Sequence, residues 1–395
     1  MALRSLKILA LVPAIDMALR EFGMNSVWWQ FLKALNELGH EVVLLPFYGG
    51  SVETPWWRSY PNPLGFISGL NRASESLLTN LPFFSDFMDY RQKTSTLRDG
   101  FIRMAMRTYR RTLRRVAQRE KGFDLAVFFS IPMRYLSGIP TELREQFGFA
   151  TIYYDGDAPA SLPRYGGLST GLYEGGQPQE YDAIIVTSKG SLNDVRELGG
   201  KRVHFMAEGA DPSVFSPLRV KKEFDISFFG IGAKFRKNWM ESMITKPSLV
   251  MPMATYVIAG IGFNKLNLGR ARNLGMTNYR RLCCSSRVNL HIARQPLAEV
   301  YASSSSRLFE MACMGCCIVC NPIEGLSEWF EEGKELFVVR SSEEAVKQYE
   351  HLLADDEARA RVGGLARKKV LERHTYLGRA AEMLEFVSSS GLVDR

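Results

Sequence analysis

Apolar residues along the chain form short runs that alternate with segments of helical spacing. Residues 6–12 (LKILALV) and 41–46 (EVVLLP) are apolar runs of strand length, and residues 26–38 between them repeat at the spacing of a helix. Gly39 follows that helix as a stop signal. A strand, a helix and a second strand joined through a short glycine connection predict the start of a doubly wound α/β domain.

Further apolar runs predict more buried strands. They lie at residues 124–130, 150–154, 183–187, 225–230, 255–264 and 288–292. The segment 208–217 (EGADPSVFSP) lacks apolar periodicity and indicates a domain junction. Because 395 residues exceed one ordinary core, we predict two α/β domains, 1–218 and 219–375, followed by a last helix over 376–395.

Composition narrows the class of protein. A hydrophobic content of 46% with 23% charged residues is that of a globular chain. No apolar run approaches the roughly 20 residues that a membrane-spanning helix needs, and we interpret the apolar N-terminus as a first buried strand. The six cysteines do not form the framework of a secreted domain, so the sequence predicts a cytoplasmic protein with reduced thiols.

Charge is distributed unevenly along the chain. Residues 219–307 carry 15 Lys and Arg against 4 Asp and Glu, whereas residues 308–395 carry 11 against 16. Such an asymmetry attracts an anionic ligand or partner to the basic segment. A nucleotide diphosphate is the smallest ligand that would explain it, and nucleic acid is the largest.

Residues 101–119 predict an amphipathic helix with a basic face. The face consists of arginines: Arg103, Arg107, Arg110, Arg111, Arg114, Arg115 and Arg119. One interpretation is the solvated side of a core helix. The other is a contact for an anionic membrane surface or a polyanion, which would place the cytoplasmic protein at the inner face of the membrane.

Two acidic residues follow a predicted strand in the first domain. Asp155 and Asp157 flank Gly156 directly after the run 150–154, and ligands of open α/β sheets bind outside the carboxyl ends of the strands. Both are candidate catalytic residues, as a general base or as ligands of acceptor hydroxyls. Since Asp-Gly is also a turn dipeptide, a structural role stays open.

The basic segment contains the candidate phosphate ligands. Glycines at strand ends allow backbone amides to approach a phosphate, and nearby cations neutralise its charge. The candidates are Gly230, Gly232, Lys234, Arg236, Gly262 and Arg294. Gly262 belongs to a second strand and loop of the same layout, which could border a nucleotide base.

The stretch 303–330 carries the strongest candidate chemistry. Serines at 303–306 could cap a helix that begins near Ser305 and ends at Gly315, so Ser306 and Arg307 fall in its first turn. Glu310 shares a face with Arg307. A carboxylate suits the two hydroxyls of a ribose and an arginine suits a diphosphate, although a plain ion pair within the helix explains the same spacing.

Four cysteines lie close together in this stretch. They are Cys313, Cys316, Cys317 and Cys320, and their spacing is that of a metal site. The predicted helix end, glycine and buried strand point the side chains in different directions, and no histidine lies near them. We therefore predict small buried thiols and no metal ligand.

Several motifs in the chain resemble those of GT-B glycosyltransferases, in particular the branch related to the spore maturation protein CgeB. The C-terminal half carries them: RLFEMACMG, CCIVCNPIEG, FEEGKE and HTY. The segments LGHEVVLLP and GADPSVF extend the resemblance into the N-terminal half. The resemblance implies a GT-B fold, in which an N-terminal acceptor domain and a C-terminal nucleotide-sugar domain, both Rossmann-like, face a central cleft and the last helix crosses back to the first domain.

The resemblance also implies roles for individual residues. Glu310 matches the glutamate that binds ribose, and the turn from Gly230 to Gly232 matches a loop that faces phosphate. Ala302 stands where related retaining enzymes often have a second glutamate. The family fold requires no metal, so cations such as Lys234 and Arg236 would meet the charge of a UDP- or GDP-sugar.

Three functions remain after the sequence is considered. The first is a metal-independent glycosyltransferase that moves a sugar from a nucleotide-diphosphate sugar to a hydroxyl acceptor. The second is a nucleotide-sugar epimerase of the same fold, and the third is a glycosyltransferase that acts on a modified DNA base. Nothing in residues 1–218 identifies the acceptor as a lipid, polysaccharide, protein, nucleic acid or small molecule.

Overall fold

The fold was determined from a computed structural model of the chain. The structure describes residues 4–13, 15, 26–47, 49–64, 106–166, 171–231, 235–261, 263, 267–275 and 277–393. The chain divides into two compact units. The second consists mainly of residues 207–378, and the first contains most of the preceding chain together with the residues from Arg379 onward.

The first unit contains a seven-stranded parallel sheet. Its strands are β1 (Lys7–Val12), β2 (Glu41–Pro46), β3 (Arg58–Ser59), β4 (Leu125–Phe129), β5 (Ala150–Asp155), β6 (Ala183–Val186) and β7 (Val203–Phe205). The strand order is β3-β2-β1-β4-β5-β6-β7. Strands are added first on one side of β1 and then on the other, as in a doubly wound Rossmann-like sheet. The longer strands are buried almost throughout, as parallel strands covered on both faces must be.

Among its described residues up to Met206, the first unit contains five α-helices, of which the first two lie where apolar spacing predicts a helix. They are α1 (Val27–Glu37), α2 (residues 106–119), α3 (Met133–Leu136), α4 (Ile139–Phe147) and α5 (Leu192–Glu197). In α2, Tyr109, Leu113 and Val116 are buried in the core. The amphipathic helix is therefore confirmed for its described part, whereas Arg103 lies outside the described residues.

The second unit contains a six-stranded parallel sheet. Its strands are β8 (Phe224–Ile231), β9 (Tyr256–Ile261), β10 (Arg272–Asn273), β11 (Ser286–His291), β12 (Ile318–Cys320) and β13 (Phe337–Val338). The strand order is β10-β9-β8-β11-β12-β13, and every pairing is parallel. Two separate parallel sheets confirm the predicted α/β fold class.

Helices of the second unit cover both faces of its sheet. They are α6 (Lys237–Met240), α7 (Lys246–Val250), α8 (Tyr279–Ser285), α9 (Gln295–Glu299), α10 (Ser306–Cys313), α11 (Ser342–Ala354) and α12 (Asp356–Arg373). Between α6 and α7, Glu241–Thr245 form a π-helical turn. A last helix, α13 (Tyr376–Ser389), starts in the second unit and from Arg379 on belongs to the first.

Within the first unit, the C-terminal residues pack on the end of the sheet. The ring of Phe386 stacks on His204 of β7 with a centroid separation of 4.2 Å. The residues from Arg379 onward thus belong to the first unit. The second unit begins at Ala207, just before the segment 208–217 that the sequence marks as a junction.

Two glycines bring β8 and β9 together at their carboxyl ends. Gly230 and Gly260 are partners in the parallel register, and Gly260 has a φ of 122°. A Cβ atom on Gly260 would lie 1.8 Å from the carbonyl oxygen of Gly230. Only a residue without a side chain fits at Gly260, so this end of the sheet depends on glycine.

No helix among the described residues is both long and apolar enough to cross a membrane.

Candidate functional site

Glu310 and Arg307 form the centre of the candidate site in the second unit. Both lie in α10, three residues apart, and therefore on one face of the helix. The Arg307 Nη1 atom donates to Oε2 of Glu310 over 2.6 Å. The Glu310 side chain is fully buried, whereas 29% of the Arg307 side chain is exposed. The pair predicted from sequence is therefore formed, with its arginine reaching the surface.

Two aromatic rings hold the Arg307 guanidinium in place. Its central carbon lies 4.7 Å from the ring centroid of Tyr279 in α8 and 5.4 Å from that of Phe229 in β8. Cation–π contacts of this kind are strongest where water is excluded. The guanidinium is thus fixed by a carboxylate and two rings before any ligand binds.

A second arginine approaches this group from the loop after β8. The Nε atom of Arg236 donates to the carbonyl oxygen of Ile292 over 2.7 Å. Burial, together with the charges of Arg294 and Arg307, lowers the pKa of Arg236 to about 9. Mutual repulsion among these three guanidiniums means that the site gains stability when an anion binds between them.

His291 ends β11 beside the same arginines. Burial, with the charges of Arg236 and Arg307, lowers the pKa of His291 to about 3, so the imidazole is neutral at physiological pH. Its Nε2 atom is buried and has no hydrogen-bond partner among the described residues. His291 is not among the candidate residues predicted from the sequence, because a single histidine at a strand end has no distinctive pattern.

The serines before α10 are used differently from the expected helix cap. Ser305 is the N-cap residue, yet its side chain makes no capping hydrogen bond. Ser303 Oγ donates to the carbonyl oxygen of Val300 over 2.7 Å, and Ser304 Oγ accepts from the amide of Glu208 over 2.9 Å. The predicted start of the helix near Ser305 is confirmed, whereas Ser305 makes no capping hydrogen bond, and Ser303 and Ser304 bond to the loop and to the start of the unit.

Several predicted phosphate ligands lie within β8 or follow β8 and β9 in the sequence. Gly230 lies in β8, where it adjoins Gly260. Gly232, Lys234 and Gly262 lie outside the described residues. The structure thus brings together Arg236, Arg294, Arg307 and Glu310, and Ser306 begins the helix that carries the last two.

A cavity of about 720 Å³ opens beside Arg236 in the second unit. Its lining includes Phe235, Arg236, Trp239, Glu299, Glu324 and Arg340. Arg340 is occupied by two hydrogen bonds to Glu332, over 2.8 and 3.0 Å. Aromatic rings with carboxylates are suited to a ligand rich in hydroxyl groups.

The predicted catalytic acids lie in the first unit at the end of β5. Asp155 is fully buried and accepts hydrogen bonds from Ser161 Oγ (2.5 Å), the Asp157 amide (2.9 Å) and Tyr173 Oη (3.0 Å). Burial raises the pKa of Asp155 to about 6. Asp157 is only half-buried. Asp155 thus has three internal donors, which suits a structural carboxylate that orders the turn carrying Asp157.

The six cysteines are free and buried. Over the part of the chain that the structure describes, no three or more His, Cys, Asp or Glu side chains are grouped so that they could hold a metal ion.

The fold of the chain is the GT-B fold, as comparison with solved structures shows. The chain is similar to sucrose-phosphate synthase from Thermosynechococcus elongatus, with 13% identity, a TM-score of 0.65 and coverage of 96% of this chain and 98% of the other. It is similar to Anabaena Alr3699/HepE in complex with UDP and glucose, with 13% identity, a TM-score of 0.62 and coverage of 97% and 100%. It is also similar to AviGT4, a glycosyltransferase involved in avilamycin A biosynthesis, with 14% identity, a TM-score of 0.58 and coverage of 96% of each chain.

Residues 236–385 match a family model described as glycosyl transferase-like. This range contains Arg236, Arg294, Arg307 and Glu310. A search of curated proteins finds no match to the chain. The predicted GT-B fold is confirmed, and residues 236–385 are similar to glycosyl transferases, whereas neither the family model nor these structures single out the CgeB branch.

Proposed function

We propose that the chain transfers a sugar from a nucleotide-diphosphate sugar to a hydroxyl acceptor. The observation that carries the proposal is the buried Glu310 carboxylate beside three clustered arginines, within the part of the chain that is glycosyl transferase-like. Anabaena Alr3699/HepE, which shares the fold, was crystallised with UDP-glucose. A UDP- or GDP-sugar is therefore the donor we favour.

Each group of the site has a role in this proposal. Glu310 accepts from the ribose hydroxyls of the nucleotide. Arg236, Arg294 and Arg307 bind the diphosphate and stabilise the charge that develops on it as the sugar leaves. The cations supply the positive charge that a metal ion provides in other enzymes, so we propose a reaction that requires no metal.

In this proposal the sugar of the donor occupies the cavity beside Arg236. Arg236 belongs to the arginine cluster and also lines the cavity of about 720 Å³. A diphosphate held by Arg236 would direct its sugar into that cavity, where Glu299 and Glu324 can accept from sugar hydroxyls. Trp239 offers a ring against which the apolar face of a sugar can pack.

On the acceptor side we propose residues 1–218 as the acceptor domain and Asp157 as the general base. Asp155 is buried and accepts three hydrogen bonds, one of them from the Asp157 amide. It would therefore position the turn, while the more accessible Asp157 takes the proton of the acceptor hydroxyl.

The arginine face of α2 is a candidate contact for an anionic membrane surface. Arg107, Arg111 and Arg115 are exposed and form no ion pair with any residue that the structure describes. Arg114 is paired with Glu142 over 3.0 Å, and Arg119 lies 5.8 Å from the ring of Tyr60. We propose a cytoplasmic enzyme that can bind at the inner face of the membrane through the first three arginines.

A panel of UDP- and GDP-sugars tests the proposed reaction. We expect one donor to raise the melting temperature and to be hydrolysed slowly to free sugar and nucleoside diphosphate. Trp239→Ala should weaken binding of that donor while the affinity for the bare nucleoside diphosphate stays within about twofold, because the ring contacts only the sugar. Conversion of the donor to an isomeric sugar without release of nucleoside diphosphate would instead establish an epimerase.

A further inference from the structure

The alternation of side chains along β11 determines where His291 lies. Val288 and Leu290 enter the hydrophobic core on one face of the sheet. Asn289 and His291 therefore lie on the opposite face, because successive residues of a strand alternate. Asn289 Nδ2 donates to the carbonyl oxygen of Cys283 in α8 over 3.2 Å, so this is the face that α8 covers.

The neighbouring strand places His291 beside the Glu310–Arg307 pair. Leu290 of β11 is in register with Phe228 of β8, so the next residues, His291 and Phe229, lie side by side on the face covered by α8. The ring of Phe229 is the one that contacts the Arg307 guanidinium. On its other side, His291 is in register with Cys320 of β12.

The charges around His291 are mainly positive. Arg236 is bonded to the carbonyl oxygen of Ile292, the residue that follows the histidine. Besides Arg280, Arg281 and Cys284 of α8, the ionisable groups on the elements packed around His291 include Arg236, Tyr279, Cys283, Arg294, Arg307, Glu310 and Cys320. Glu310 is the carboxylate among them, and it is paired with Arg307. An imidazole in this position stays neutral, and its buried Nε2 atom has no hydrogen-bond partner among the described residues.

We propose that the His291 imidazole binds the donor diphosphate, with Nε2 donating a hydrogen bond to a phosphate oxygen alongside Arg236 and Arg307. The inference rests on the proposed donor site and adds a ligand to it. It gives a role to a buried polar side chain that ends β11 beside two cations. It also accounts for the buried Nε2 atom, which would gain its partner from the substrate.

A diphosphate would also change the protonation of His291. Burial and the guanidinium charges together keep the imidazole neutral, and the negative charge of the ligand offsets the guanidinium part, so the pKa of His291 rises on binding. A ligand that raises a pKa binds more tightly as the pH falls through the bound-state value. The ratio of the affinities of His291→Gln and the original chain at two pH values therefore reports whether His291 takes up a proton on binding.

The test is calorimetric titration of UDP, GDP and inorganic pyrophosphate into the full chain at pH 6 and pH 8. His291→Gln removes the imidazole and keeps a polar side chain, and His351→Gln serves as the control because His351 is exposed in α11. We expect His291→Gln to weaken binding about tenfold or more at pH 6, as loss of a charge-assisted hydrogen bond does, and His351→Gln to match the original chain. The ionisation of the phosphate itself affects all three proteins equally, so it cancels in the ratio of the dissociation constants of a variant and the original chain.

The outcomes separate this inference from the proposed function. Nucleotide binding that needs Glu310 and is unchanged in His291→Gln overturns the inference and leaves the function intact. Pyrophosphate binding that depends on His291, with no binding of either nucleotide, supports the inference and contradicts the nucleotide site. If none of the three ligands binds, both fail. Should His291→Gln not fold, the ¹⁵N resonances of His291 in the original chain decide, since unchanged shifts in saturating ligand overturn the inference.

Discussion

Glu310 is a carboxylate with no exposed surface, and this burial constrains the whole site. A buried charge is costly unless it is paired and hydrogen-bonded, and Arg307 supplies such a partner 2.6 Å away. Because Arg307 is itself fixed by the rings of Tyr279 and Phe229, the carboxylate is held in one orientation. A preorganised acceptor of this kind can bind a ribose at little entropic cost.

The raised pKa of Asp155 leads us to predict a measurable pH dependence of the stability of the protein. Its pKa of about 6 lies above the ordinary value of 3.8, so the protonated form is favoured in the folded state. The stability it contributes is present below about pH 4 and is lost as the pH rises through about 6, by at most about 3 kcal/mol. Urea unfolding of the original chain and of Asp155→Asn at pH 4.5 and 7.5 measures this component.

We expect Asp155→Asn to gain stability relative to the original chain between pH 4.5 and 7.5, because the amide cannot ionise. An unfolding free energy difference between the two proteins that is the same at both pH values would show that Asp155 does not titrate in this range. The hydrogen bonds from Ser161 and Tyr173 would then dominate over burial.

The sequence predicted Arg307 and Glu310 as site residues but not His291, and the difference has a physical reason. Arg307 and Glu310 were found because a three-residue spacing on a helix places two side chains together. His291 could not be selected in this way, because its neighbours Arg236 and Arg307 come from other parts of the chain. The hydrogen bond between Ser304 and the amide of Glu208 likewise joins residues far apart in the sequence, so no local pattern predicts it.

At the scale of elements, the apolar runs predicted the long strands well. Parallel strands buried on both faces are nearly continuous apolar segments, and β1, β4 and β8 fall at the predicted runs. The strands β3, β10 and β13 contain two residues each, and no periodicity can reveal an element of that length. They form because a sheet edge is already present.

The approach of β8 and β9 gives a prediction at this scale. Gly260→Ala should destabilise the protein by about 3–5 kcal/mol, since the new Cβ would clash with the Gly230 carbonyl and the backbone has a φ of 122°. Gly364→Ala is the matched control, because Gly364 lies in α12 with open space around it, and it should add about 0.5–1 kcal/mol. Equal unfolding midpoints for the two variants would show that the glycine contact is not required.

The exposed arginines of α2 give a second prediction for an element. Replacing Arg107, Arg111 and Arg115 together with serine should weaken binding to phosphatidylserine vesicles on the order of 100-fold, at about 1 kcal/mol per charge. The matching lysine variant keeps the charge and should bind nearly as the original chain does. Sedimentation with anionic and neutral vesicles measures the effect, and no binding to either at low salt would identify the face as merely solvated.

At the scale of the whole molecule, chain order does not map simply onto the two units. The residues from Arg379 onward belong to the first unit although they are last in the sequence. Apolar periodicity predicts that α13 exists, but it cannot tell on which unit the helix packs.

The uneven charge along the chain is also explained at the scale of the whole molecule. The basic segment 219–307 contributes Arg236, Arg294 and Arg307, which cluster in the second unit although they are far apart in sequence. Sequence counting predicted an anionic ligand for this segment, and the cluster gives that ligand a location. The identity of the acceptor depends on the first unit, where no comparable cluster was predicted.

The central claim is that Glu310 binds the nucleotide of the donor, and one comparison of dissociation constants tests it most directly. Nucleoside diphosphates should be titrated into the original chain, Glu310→Gln and the exposed control Glu357→Gln by calorimetry. We predict that UDP or GDP binds the original chain and Glu357→Gln equally, and that Glu310→Gln binds at least about tenfold more weakly, because a neutral amide is a poorer acceptor for two hydroxyls. Unchanged affinity in a folded Glu310→Gln protein would contradict the claim.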